Sequence, residues 1–192
     1  MPNVFNWRLP RWAEIQEAEA GRPQPITPNR LRAVHTLDQA SKFQDMLRSF
    51  GIDTVLAGGA CRDTIFGKVP KDFDLFILNM NDEQEIANRL YDAYIFNFRH
   101  LPKYGEARNP EYKGVFKICG TYDLVVWETP ATCAREVVDR FDYNINQYWY
   151  EDGEVKFLDN PAHITGVLEE VNSHSCDSER GVRFMTEYGL NV

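Results

Sequence analysis

The sequence predicts an α+β fold, a small mixed β-sheet with helices packed on it. Three observations carry this expectation. From Thr36 onward, apolar residues switch repeatedly between helical spacing and short continuous runs. Glycines fall at the switches and act as turns or helix stops. The resulting order is helix, strand, helix, strand, helix, a strand pair and further helices, which is the order of a sheet with helices laid against it.

The elements follow in turn. Leu37, Ala40, Phe43, Leu47 and Phe50 recur at helical spacing, with Thr36 placed to cap the start and Gly51 to end it. Val55-Leu56-Ala57 reads as a short buried strand. Gly58-Gly59 makes a tight turn into a second helix that Gly67 terminates. Phe73 to Leu78 reads as the next strand. Asp82 with Glu85 forms a capping box for a helix carrying Ile86, Leu90 and Tyr94. Residues 99–112, rich in charge, Gly and Pro, read as a loop. Val115–Ile118 and Tyr122–Trp127 read as two strands joined by a hairpin turn at Cys119-Gly120-Thr121. Ala131–Val138 reads as a short helix. After Asp142 apolar and polar residues alternate loosely, with a turn at Glu151-Asp152-Gly153-Glu154. A last helix is expected over Ser178–Tyr188, stopped by Gly189. Before all of this, residues 1–35 read as an irregular arm, because Pro2, Pro10, Pro23, Pro25 and Pro28 interrupt any long helix. The arm is arginine-rich, and Phe5, Trp7 and Trp12 are its expected anchors.

Composition narrows the function. The chain has 192 residues and a formal charge of −8. A protein that grips nucleic acid over a broad surface is usually basic. A polyanionic partner here must therefore be held by a local basic patch or by metal ions bound to the acids. No apolar run reaches the length of a membrane span, and the N-terminus lacks an apolar signal core. Cys61, Cys119, Cys133 and Cys176 form no C-x-x-C pair, and the four histidines show no metal spacing, so a zinc site is not expected. Cytoplasmic localisation is the expectation, with no membrane partner.

The chemistry concentrates in one stretch, "LAGGACRDTIFGKVPKDFDLFI", from Leu56 to Ile77. Residues two apart on a strand point to the same face, so Asp72 and Asp74 project side by side. Two ionised carboxylates there repel, and a hard divalent cation with oxygen ligands, Mg²⁺ first, answers that repulsion. Two such ions roughly 3.5–4 Å apart clamp an in-line phosphoryl displacement. Gly58 and Gly59 let the backbone pass close to a ligand, and amides at the start of the next helix can face phosphate oxygens. Arg62 adds a cation suited to a triphosphate. Taken singly, an Asp-x-Asp is usually a solvated strand end, a Gly-Gly a turn and an Arg-Asp a surface pair worth little. Their joint occurrence in one ordered stretch is what points to a phosphate-and-metal site.

This stretch resembles the signature of the class II CCA-adding enzyme and bacterial poly(A) polymerase family of nucleotidyltransferases. That pattern runs Gly-Gly-x-Val-Arg-Asp, then Leu-Leu-x-Gly, then Lys-Asp-x-Asp, and it is met without a gap, with Cys61 in place of the valine. The resemblance implies a polymerase-beta-like nucleotidyltransferase head domain. It implies catalytic, metal-binding acids at Asp72, Asp74 and, through "TYDLVV", Asp123. Two Mg²⁺ ions and an NTP substrate go with them. "RFDYNIN" is similar to the family run Arg-Arg-Asp-Phe-Thr-Ile-Asn, matching at Arg140, Asp142, Ile145 and Asn146, with Phe141 for the second arginine and Asn144 for threonine. "SERGVRFMTEYGLNV" resembles the start of the helical neck and nominates Arg180 and Arg183. The implied nucleotide-binding set is Gly58, Gly59, Arg62, Asp63, Arg140, Asp142, Asn146, Arg180 and Arg183.

The implied organisation is an arm over 1–35, a head domain over 36–160 and a short neck-like helical segment over 161–192. The base-reading Glu-Asp-x-x-Arg neck motif is absent from these residues, and so are segments resembling the family's body and tail. The expected reaction moves a nucleoside monophosphate from an NTP to a hydroxyl. The family default acceptor is an RNA 3′ end, tRNA in particular, or an RNA held by a partner chain. A protein or small-molecule hydroxyl is the alternative acceptor. The rival of another class is a catalytically weak mimic of the head domain that binds nucleotide or a partner.

Overall fold

The computed structural model of the chain describes residues 36–102, 111–172 and 178–191. The arm expected over 1–35 lies outside the described residues.

Helix α1 (Leu37–Ser49) starts where expected: the Thr36 hydroxyl accepts from Gln39 N at 3.3 Å. Its buried stripe includes Leu37, Ala40, Phe43 and Leu47. Gly51 lies just past its end at φ +78°, a conformation that favours glycine. Strand β1 (Thr54–Ala57), helix α2 (Gly59–Ile65) and strand β2 (Phe73–Ile77) follow. Helix α3 (Glu83–Asp92) is capped by the Asp82 carboxylate, which accepts from Gln84 N at 2.9 Å and Glu85 N at 3.1 Å. Strands β3 (Phe98–Pro102), β4 (Tyr112–Ile118) and β5 (Tyr122–Trp127) come next. The β4–β5 turn has positive φ at both Cys119 and Gly120, which matches the right-handed twist of a hairpin. Helix α4 (Ala134–Val138), a 3₁₀ turn (Asn144–Asn146), strands β6 (Tyr148–Glu151) and β7 (Glu154–Phe157), helix α5 (Ala162–Thr165) and helix α6 (Ser178–Tyr188) complete the described chain.

The strands form one seven-stranded sheet in the order β3-β4-β5-β2-β1-β6-β7. Every neighbouring pair is antiparallel except β2 and β5, which run parallel. Alternation along the strands builds two apolar layers. Leu56, Leu75, Ile77, Leu124 and Val126 face α1 and α3 through Phe43, Leu47, Ile86 and Leu90. Val55, Phe76, Val125 and Trp127 face the opposite way, toward Val137, Val138 and Phe141. A third, smaller cluster of Tyr143, Ile145, Ala162, Leu168, Phe184 and Leu190 packs α6 against the 3₁₀ turn.

The structure corrects the sequence reading at three places. Part of the loop expected over 99–112 is edge strand β3, with Phe98 opposite Ile118 and Pro102 opposite Gly114. Its own pattern is weak, and pairing with β4 supplies the order that local propensity does not. The loose alternation after Asp142 contains a hairpin, β6 and β7, around Asp152-Gly153, both at positive φ. The helix expected from Ala131 starts at Ala134, because Ala131 is drawn into a bridge with Leu78. Among the described residues, no helix is long and apolar enough to cross a membrane.

Candidate active site

The acids are placed by sheet register. Strands β2 and β5 pair in parallel with Asp74 beside Asp123, and Phe73, Leu75 and Phe76 beside Tyr122, Leu124 and Val125. Adjacent strands lie about 4.8 Å apart, so the two carboxylates leave neighbouring backbones in the same direction. Asp72 sits one residue before β2, exposed, on the same side by alternation. The three acids thus share the sheet face that carries Phe76, Val125 and Trp127 deeper in.

The electrostatics follow from that crowding. Burial, then the Asp72 and Asp123 carboxylates, push the Asp74 carboxyl up to about 7, while Lys117 and Arg62 pull it the other way. Cys61, buried on α2, feels the same field: burial first and Asp74 second push its thiol well up. Lys117 on β4 lies directly across from Asp123 in the β4–β5 register, and its ammonium donates to Asp123 Oδ2.

Among the described residues, no three carboxylate, imidazole or thiol groups gather closely enough to cage a metal ion. What the register does bring together is Asp74 with its carboxylate neighbours, and burial first, then those charges, make its ionised form costly without a cation. That chemistry fits a hard divalent cation at Asp72 and Asp74. Asp123, in this arrangement, is already paired with Lys117.

The diglycine turn joins β1 to α2. Gly58 has φ +77° and ψ −129°, a conformation that only glycine adopts without strain. Its N–H donates to Tyr148 O on β6 at 2.9 Å, so this amide stitches the turn to the sheet rather than facing a ligand, as the sequence reading allowed. Gly59, partly exposed, opens toward Arg62: a Cβ there would lie 3.5 Å from Arg62 Nη2.

Arg62 begins a continuous polar chain. Its Nε donates to Asp63 Oδ1 at 2.9 Å and to the Tyr188 hydroxyl at 2.8 Å, and its Nη1 donates to Asn146 Oδ1 at 2.7 Å. Asn146 Nδ2 donates to Asp142 Oδ1 at 2.8 Å, and Arg180 Nη1 donates to Asp142 Oδ2 at 2.6 Å. Asp142 is buried and also accepts from Tyr143 N at 3.0 Å. Five of the nominated residues, Arg62, Asp63, Asp142, Asn146 and Arg180, are therefore one hydrogen-bonded unit spanning α2, the 3₁₀ turn and α6. Each guanidinium Nη carries two N–H groups, which leaves this unit with more donors than the bonds named here use.

Two nominated residues stand apart from it. Arg140 donates from Nη1 to Thr129 O at 2.7 Å and stacks its guanidinium 4.9 Å from the Trp127 ring. Arg183 is exposed on α6, 5.7 Å from the Phe184 ring.

Three further residues enter the site. Lys117 had a legible signal: a hairpin centred on Gly120 pairs positions 117 and 123. Tyr112 packs its ring 4.7 Å from that of Trp127 at a tilt, and burial first, then the Asp74 carboxylate, push its hydroxyl well up. Tyr188 is fixed by α6 packing, and nothing in the sequence marks it apart from its place on an amphipathic helix.

No protein-family model matches the chain, and no curated protein matches it in sequence. Solved structures do match. The Thermotoga maritima CCA-adding enzyme complexed with tRNA superposes at TM-score 0.58 and 14% identity, covering 86% of this chain and 42% of that one. The Bacillus stearothermophilus CCA-adding enzyme in complex with CTP gives TM-score 0.56 and 18% identity, over 80% and 40%. A tRNA nucleotidyltransferase complexed with a primer tRNA and an incoming ATP analog gives TM-score 0.53 and 19% identity, over 77% and 45%. The chain spans about two-fifths of the length of these enzymes. Its mixed seven-stranded sheet with flanking helices is the head-domain fold of CCA-adding enzymes.

Proposed function

We propose that the chain is a nucleotidyltransferase that moves a nucleoside monophosphate from an NTP to the 3′ hydroxyl of an RNA, tRNA first, with release of pyrophosphate. The observation that carries this reading is the in-register pair Asp74 and Asp123, with Asp72 alongside, next to a polar chain built on Arg62. The fold supports it, since solved structures that share it hold CTP, an ATP analog or tRNA.

Asp72 and Asp74 are the residues that would hold a divalent cation, here Mg²⁺. When bound, such an ion neutralises the triphosphate and draws charge from the phosphoryl group in flight. Asp123 faces the acceptor side and takes the proton of the attacking hydroxyl, with Lys117 holding its other oxygen in place. Arg62 directs its remaining Nη N–H groups at the triphosphate. The buried Asp142, fixed by Asn146 and Arg180, offers a rigid polar wall for the sugar and base. Gly59 keeps the approach to Arg62 open. Most of the catalysis is positioning and charge neutralisation, which is what phosphoryl transfer chiefly needs.

The test is incubation with each α-labelled NTP, Mg²⁺ and mixed tRNA. Label on the RNA, lost in Asp74→Asn, is the expected result. Label on protein would move the acceptor to a protein hydroxyl. Nucleotide binding with no label on any acceptor would make the chain a head-domain mimic.

A further inference from the structure

Tyr188 closes the last turn of α6 against the last turn of α2. Its hydroxyl donates to Asp63 Oδ1 at 2.6 Å and accepts from Arg62 Nε at 2.8 Å. Arg62 Nε also donates to Asp63 Oδ1 at 2.9 Å, so the three groups form a closed ring of hydrogen bonds. The Arg62 guanidinium lies over two rings of α6, with Phe184 and Tyr188 each 5.0 Å away. Lys68 reinforces the same turn: its ammonium is 3.8 Å from the Tyr188 ring and donates to Glu187 O at 3.0 Å and Glu187 Oε1 at 2.9 Å.

Packing alone does not call for this arrangement. Phe184, fully buried, already anchors α6 in its apolar cluster, and a phenylalanine at 188 would serve the Phe66 edge contact as well. The hydroxyl does something else. Asp63 Oδ1 also pairs with Arg62 Nη2 at 2.9 Å, so Asp63 competes for the N–H groups that would face a ligand. By donating to that oxygen, Tyr188 takes part of its demand and leaves the guanidinium turned toward Asn146 and the open side near Gly59.

We propose that Tyr188 is a positioning residue for nucleotide binding: it sets the orientation of Arg62 so that the Nη N–H groups meet the triphosphate. This rests on the reading of the site as a nucleotide site. It makes the last turn of α6 part of that site, through Arg62 rather than by contact with the substrate.

The experiment is fluorescence titration of the full chain with a mant-ATP probe in Mg²⁺, for wild type, Tyr188→Phe, Arg62→Lys and the double variant, with melting curves for each. Tyr188→Phe is expected to weaken binding roughly tenfold, to raise the KM for NTP by a similar factor and to leave kcat within about twofold. In the Arg62→Lys background the same change is expected to have no further effect, because the group it orients is gone. An equal loss in both backgrounds means Tyr188 acts only through the fold, and overturns the proposal. So does unaltered binding in Tyr188→Phe. Wild-type protein that binds no mant-ATP overturns the nucleotide-site reading and this inference together, whereas intact wild-type binding indifferent to Tyr188 overturns this inference alone.

Discussion

Asp74→Asn should make the metal-free protein more stable at pH 8 and leave it unchanged at pH 4, while abolishing transfer. Asp74 has its carboxyl raised from an ordinary 3.8 to about 7 in the folded chain. At 1.36 kcal/mol per pH decade, keeping it ionised costs up to ~4 kcal/mol of folding free energy. The sign follows from linkage. Below pH 4 the carboxyl is protonated in both folded and unfolded chains, and no penalty exists. As pH rises from 4 to 7 the unfolded chain releases the proton freely while the folded chain holds it, so stability falls. Above 7 the penalty is complete. An asparagine carries no charge and escapes it, and a gain of roughly 2–4 kcal/mol at pH 8 is expected once local relaxation is allowed for. Urea unfolding in EDTA at pH 4, 6 and 8 measures this as a shift in midpoint that grows with pH. Adding Mg²⁺ should restore wild type toward the variant and leave the variant where it was. A gain that is the same at every pH, or a loss at pH 8, would refute the picture of a buried Asp74 carboxyl crowded by Asp72 and Asp123.

Other outcomes follow from the same geometry. Gly58→Ala forces a Cβ onto a backbone at φ +77° and ψ −129° and should cost about 1–3 kcal/mol in urea unfolding, whereas Gly59→Ala, with ordinary space around its Cβ, should cost nothing measurable. Arg180→Ala leaves the buried Asp142 carboxylate without its guanidinium and should lower stability by ~2 kcal/mol, discounted from the cost of a fully buried pair because Arg180 is 40% exposed. Arg180→Lys should recover part of that loss. Lys117→Met removes a cation that pulls the Asp74 carboxyl down, so in EDTA the loss of stability between pH 4 and pH 8, read by urea unfolding, should be larger than in wild type.

The sequence made the central strands and the acids legible because both are written in local patterns. Asp72 and Asp74 alternate on a strand, and the Gly58-Gly59 pair marks the turn before them. The hairpin glycine at 120 even specifies that Lys117 faces Asp123, since register propagates from a turn. Strand β3 was illegible for the opposite reason: Phe98, Arg99, His100, Leu101 and Pro102 carry no strong alternation, and the pairing with β4 alone gives them order. Arg140 matched a motif yet rests on Trp127 and Thr129, a placement decided by a tertiary contact. Tyr188 was hidden in the same way. Its hydroxyl matters because α6 folds back across more than a hundred residues onto Asp63, and no local spacing encodes that return.

The parallel pairing of β2 with β5 has a consequence for how this centre can be altered. Its two inner acids are spaced by rungs of the backbone ladder in the middle of the sheet, not by loops. Heating should therefore silence the protein in a single step, with loss of turnover tracking the cooperative melt rather than preceding it. Loop grafting would reshape the surroundings of these acids, but the gap between them would change only if the strands themselves were re-threaded.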